Sequence, residues 1–170
     1  MIADITLRLA QRGDAPSISN LSRDLIERGL GWSWTPRRVM RSIADADTNA
    51  LVALDAAGAL QGFGIMKYAE EEAHLLLLAV QTAQSRRGIG SALLAWLEAS
   101  ALIAGVRDIW LEARASNVAA RQFYRQRGYR EVELLPGYYQ GREDSVRLLK
   151  NLWQTTTGKG LSRRAGDGLR

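Results

Sequence analysis

The stretch AHLLLLAVQTAQSRRGIGS, residues 73–91, decides the reading of this chain. Its apolar block, residues 75–80, is too short for a helix and is followed closely by a glycine-bearing turn, which predicts a buried strand. Gly88 and Gly90 lack side chains, so the backbone there can come close to a ligand. Behind them ALLAWLEASALIA (92–104) has helical periodicity, with Ile89, Leu93, Leu97 and Ala101 at four-residue spacing. A helix opening at this turn presents free N–H groups and the positive end of its dipole. Arg86 and Arg87 add full charge beside them. Together these residues predict a seat for a phosphate or pyrophosphate group.

Two common phosphate motifs do not fit. A dinucleotide fingerprint needs a third glycine at position 93, which is Leu93, and no nucleotide-triphosphate loop is present. An ordinary strand-to-helix turn with solvated arginines is the competing reading of these residues taken alone.

Composition narrows the function classes. The 170 residues fit one domain with a full core, and 46% hydrophobic with 24% charged residues is ordinary for a soluble globular protein. No apolar run is long enough to span a membrane, and the N-terminus lacks a signal pattern, so the cytoplasm is the expected compartment. Without cysteine, and with His74 as the single histidine, disulfides, thiolate catalysis and multi-histidine metal sites are excluded, and no metal is expected. Residues 154–170 carry +3 of the net charge of +5, so the basic pI does not require a nucleic-acid partner. They lack periodicity and are read as a flexible basic tail behind a domain of residues 1–153.

Working outward, residues 4–10 alternate as a half-buried strand does. Asp14 and Pro16 predict the start of a helix running to about Gly29, with Ile18, Leu21, Leu25 and Ile26 as its apolar face. Thr35-Pro36 caps a second helix over 37–46. Trp32 and Trp34, between the two, either line a substrate pocket or form a lid on the core. Residues 50–54 and 61–68 read as strands joined by a turn. Glu70-Glu71-Glu72 reads as a solvated turn, with Glu72 a secondary candidate for a carboxylate at an amine site. His74, alone at a strand edge, reads as structural. Residues 108–113 alternate, with Ile109 and Leu111 on one face and Trp110 and Glu112 on the other. A short helix over 118–126, two strands over 129–135 and 145–152, and a turn-rich loop over 136–143 complete the pattern. The order is that of a mixed-sheet α/β domain.

The segment from Arg86 to Ser91, placed after a strand ending in Ala79-Val80, resembles the acetyl-CoA pyrophosphate loop of the GNAT acetyltransferase superfamily, Gln/Arg-x-x-Gly-x-Gly/Ala. The first position falls on Ser85, a departure from that pattern. WLEARASNVAARQFYRQRGY (110–129) and YYQGREDS (138–145) are similar to segments of the ribosomal-protein N-terminal alanine acetyltransferases. The resemblance covers roughly residues 73–150.

It implies the GNAT fold, a mixed central sheet flanked by helices with a splayed parallel strand pair that holds acetyl-CoA. The residues implied at the cofactor are Leu78, Ala79 and Val80 on the strand, Arg86, Arg87, Gly88, Ile89, Gly90 and Ser91 in the loop, and Asn117 on the coenzyme arm. By the same resemblance Glu112 matches the proton acceptor, Tyr124 the donor to the departing thiolate, and Tyr138 and Tyr139 lie near the acceptor. The acceptor implied is a protein or peptide α-amine, with a small-molecule amine as the alternative, attacked directly in a ternary complex by a monomer or homodimer. From the residues alone, Glu112 can instead pair with Arg107 or Arg114, Tyr124 can be a core aromatic, and the two tyrosines can pin a hairpin. A basic RNA- or ribosome-binding module is the reading of a different class.

Overall fold

The computed structural model describes residues 4–84 and 88–157. The expectations for Ser85, Arg86, Arg87 and the last thirteen residues lie outside it. Seven strands form one sheet in the order β1-β2-β3-β4-β5-β7-β6. The strands are β1 (Thr6–Leu9), β2 (Thr48–Leu54), β3 (Leu60–Tyr68), β4 (Glu72–Val80), β5 (Asp108–Arg114), β6 (Arg130–Tyr139) and β7 (Glu143–Asn151). The helices are α1 (Ala15–Leu25), α2 (Pro36–Ala44), α3 (Ile89–Ile103), α4 (Val118–Gln126) and α5 (Leu152–Thr157).

All neighbouring strands run antiparallel except β4 and β5, which are parallel and joined through α3. One core lies under α3, where Leu93, Leu94, Leu97 and Ala101 pack on Ala73, Leu75, Ile109 and Leu111. A second lies under α1 and α2, where Ile18, Leu21 and Val39 pack on Phe63, Ile65, Leu77 and Ala79. The two cores account for the four consecutive leucines of β4. Ile65 pairs with Leu77 and Met66 with Leu75, so Leu76 is an extra residue, a bulge. The bulge reverses the alternation: Leu75 before it points into one core, Leu77 after it into the other. A run buried on both faces therefore shows no alternation in sequence.

β3 lets α3 approach closely. A Cβ on Gly62 would stand 2.9 Å from the Ala79 carbonyl oxygen, and one on Gly64 would stand 2.8 Å from Leu97 Cδ1. α4 begins at Asn117, whose side-chain oxygen accepts from Ala120 N–H at 3.1 Å, and it ends at Gly128, at φ 91°.

Four expectations need correcting. α1 stops at Leu25 rather than near Gly29, because Glu27 turns inward to organise the loop that follows. Asp14 gives α1 no side-chain cap; its carboxylate accepts from Gln11 N–H and from Arg8 instead. The loop expected over 136–143 shrinks to residues 140–142, because β6 and β7 run on to Tyr139 and from Glu143. Proline inside β6 is tolerated because that strand is the sheet edge. Residues 154–157, read as part of the tail, continue α5.

Candidate active site

β4 and β5 stay paired for three positions only: Glu72 with Asp108, Ala73 with Ile109, His74 with Trp110. Beyond them β4 follows β3 to Val80, and β5 follows β7 to Arg114. The strands fork, and a cleft of about 610 Å³ opens between them. Its walls include Leu78, Ala79 and Val80 on one prong, Glu112 and Arg114 on the other, and Gly90, Asn117 and Tyr124 from the helices. Leu78–Val80 pair with β3 and have no β5 partner, so one edge of β4 keeps its backbone hydrogen-bonding groups turned to the cleft.

At the start of α3, Gly88 takes φ 83° and caps the helix with no side chain. Ile89 is buried in the core, so of the loop residues it is the anchor. Gly90 lines the cleft. A Cβ there would meet Phe123 and Val80 at 3.5 Å, ordinary contact, so packing does not require glycine at this position. Its missing side chain leaves room in the cleft instead. The Ser91 hydroxyl is engaged by Arg127, whose guanidinium stacks 3.7 Å over Phe123. Among the described residues no side chain caps the first turn of α3, and such free N–H groups suit an anion.

At the apex of the fork, Glu112 has a side chain only 6% exposed. Its Oε2 lies 2.7 Å from His74 Nε2, and its Oε1 accepts from Arg147 Nη2 at 3.3 Å. An ionised carboxylate only accepts, so Nε2 is the donor. The imidazole stacks on Trp110 at 3.7 Å, and the Arg147 guanidinium lies 4.9 Å from the same indole. Glu112 pairs with neither Arg107 nor Arg114: Arg107 holds Asp108 and Glu71, and Arg114 holds Glu143. Glu72 is exposed at the paired end of β4, away from the cleft lining.

Tyr124 is 8% exposed and lines the cleft from α4, edge-on to Tyr129. Burial raises its phenol well above the ordinary value of 10, so it stays protonated at neutral pH. Tyr139 also reaches the cleft, and burial pushes its phenol up to about 12. Tyr138 is half exposed, edge-on to Tyr139. Trp34 is buried against α1, with Arg38 stacked 3.9 Å above it, and Trp32 is exposed beneath Arg23. Neither indole is among the residues lining the cleft.

Four residues outside those expectations shape the site. His74 binds Glu112. Glu27, 7% exposed, accepts from Ser33 N–H at 2.7 Å, from Ser33 Oγ at 2.6 Å and from Trp34 N–H at 3.2 Å, and so folds the α1–α2 loop around itself. Arg114 donates to the carbonyls of Ile26 and Arg28 at 2.7 and 2.8 Å. Gln140 joins that loop to the β6–β7 turn through both its amide groups and the backbone of Gly31. Contacts across the fold, or around a loop for Glu27, reveal them; as single letters they look like surface residues.

Residues 20–129 match the acetyltransferase (GNAT) family. An uncharacterised N-acetyltransferase of Methanocaldococcus jannaschii is 46% identical over 78 residues, 45% of this chain and 50% of that protein. The ribosomal protein bS18-alanine N-acetyltransferase of Salmonella typhimurium is 32% identical over 123 residues, 71% of this chain and 82% of that one. The chain thus spans half the length of the archaeal relative. The crystal structure of the ribosomal-protein-alanine N-acetyltransferase of Escherichia coli superposes with a TM-score of 0.74 at 25% identity, covering 98% of this chain and 99% of that one.

Proposed function

The chain belongs to the acetyltransferase (GNAT) family, and from that premise we propose that it acetylates the α-amino group of a protein or peptide, with acetyl-CoA as co-substrate. The observation that carries this reading is the fork between β4 and β5, with the Glu112–His74 pair at its apex and Tyr124 on its wall.

The residues that would hold the coenzyme are Gly88, Ile89, Gly90 and Ser91 at the start of α3, Leu78, Ala79 and Val80 on the open edge of β4, and Asn117. Acetyl-CoA supplies an acetyl group activated as a thioester. An α-amine has a pKa of about 8, so a carboxylate suffices as its base. Glu112 takes that proton, directly or through one water, and His74 and Arg147 fix the carboxylate in place. Tyr124 keeps its own proton because burial raises its pKa. Its hydroxyl donates a hydrogen bond to the departing thiolate, which then takes its proton from solvent. Backbone N–H groups near Leu78 on β4 stabilise the negative charge that gathers on the acetyl oxygen. Tyr139, on the acceptor side of the cleft, lies against the incoming peptide.

The Salmonella relative is named for acetylating the alanine terminus of a ribosomal protein, which supports a protein α-amine over a small one. The test is an acetylation screen. Peptides with varied first residues are incubated with acetyl-CoA beside polyamines and aminoglycosides, and products are mapped by mass spectrometry. Acetyl on peptide α-amines is the expected result. Acetylation of the small amines alone would overturn the peptide reading.

A further inference from the structure

Among the described residues three charged side chains line the cleft: Arg28, Glu112 and Arg114. Two are neutralised by neighbours. Glu112 is held by His74 and Arg147, and Arg114 by Glu143. Arg28 has no carboxylate partner among the described residues. Its side chain is exposed, yet its backbone is fixed. The Arg28 carbonyl accepts from Arg114 at 2.8 Å, Ile26 next to it accepts at 2.7 Å, and the buried Glu27 between them holds Ser33 and Trp34. Gln140 ties the same loop to the turn across the cleft mouth. A cation with no carboxylate partner among the described residues therefore projects from a braced loop, near Leu25, Ile26 and Tyr139 of the lining. Val80, Gly90, Asn117 and Phe123 line the coenzyme side.

Resting on the acceptor reading above, we propose that Arg28 selects acceptor chains with a carboxylate at the second or third residue. An extended chain advances about 3.3 Å per residue. A terminus whose amine reaches Glu112 therefore brings its next side chains out to the cleft mouth. An Asp or Glu there gains an ion pair, while a Lys or Arg meets a like charge with no neighbouring acid to offset it. The apolar wall of Leu25 and Ile26 accompanies this cation, so the preferred terminus has a small uncharged first residue followed by an acid. Between residues 23 and 41 the sequence places five arginines against Asp24 and Glu27, which extends the positive field around the mouth.

The experiment uses three peptides that begin with alanine and differ only at positions two and three: Asp-Glu, Ala-Ala or Lys-Arg. Steady-state acetylation is measured for the full chain and for Arg28→Glu, at low and high salt. The expected order of kcat/KM is acidic, neutral, basic, with about five- to tenfold between the extremes, the scale of partly exposed ion pairs. Most of the difference should lie in KM, and it should shrink in high salt. Arg28→Glu should reverse the order and leave the KM for acetyl-CoA unchanged. Equal rates for the three peptides, or the same order in Arg28→Glu, would overturn this proposal and leave the peptide reading standing. A raised acetyl-CoA KM with an unchanged peptide order would assign Arg28 to the coenzyme and overturn it too. Absence of acetylation on every peptide would overturn both.

Discussion

Glu112 and His74 stand 38 residues apart in sequence and 2.7 Å apart in space. The parallel pairing of β4 with β5 through the α3 crossover brings them together. Glu112 was legible because it sits in WLEARASN and on the polar face of an alternating strand. His74 was not, because a lone histidine before an apolar run carries no sign of the carboxylate it meets. Glu112→Gln keeps the shape and one acceptor oxygen but cannot take a proton. Turnover should fall by about a hundredfold or more, while stabilisation by acetyl-CoA stays intact; wild-type turnover in this variant would remove Glu112 from the mechanism. Tyr124→Phe removes a hydroxyl that faces the cleft. It should lower kcat with little change in acetyl-CoA affinity, and stopped-flow binding beside steady-state rates separates the two effects.

The elements themselves were legible where periodicity is strong: the α3 repeat, the alternation of β5 and the bounds of α4. What sequence concealed was the bulge at Leu76, because a strand buried on two faces has no polar phase against which a reversal shows. The length of the β6–β7 hairpin was concealed too, since Pro136 and Gly137 signal a turn yet lie within an edge strand. The bulge and the glycines of β3 set the seat of α3 on the sheet. Gly62→Ala would force a methyl against the Ala79 carbonyl, a backbone atom with little freedom to yield. We expect a loss of about 1–3 kcal/mol, read from chemical denaturation. It should come with weaker acetyl-CoA binding, because Ala79 lines the cleft. Stability equal to the wild type would contradict this account of the packing.

At the scale of the whole molecule, the order of strands and helices followed from the sequence, while the tie between the α1–α2 loop and the β6–β7 turn did not. That tie runs through Gln140 and Gly31, 109 positions apart. Stability against pH is a property of the ensemble of buried phenols. Burial raises Tyr124, Tyr129 and Tyr139 above their ordinary value of 10. Between that value and the folded pKa the unfolded chain loses protons that the folded chain keeps, so stability falls as pH rises. Thermal midpoints should therefore drop as pH rises beyond about 10. At the acid end, Arg8 holds the Asp14 carboxyl below its usual range, and its contribution should fade as pH falls below about 4. If the start of α3 and the open edge of β4 seat acetyl-CoA, thermal unfolding with and without that ligand reads it out. At a concentration a hundredfold above Kd the wild type should gain about 2.7 kcal/mol. Gly90→Glu, which puts a carboxylate at the anion seat, should gain nothing. A wild type whose midpoint does not move in millimolar acetyl-CoA, or a Gly90→Glu variant that gains as much as the wild type, would contradict it.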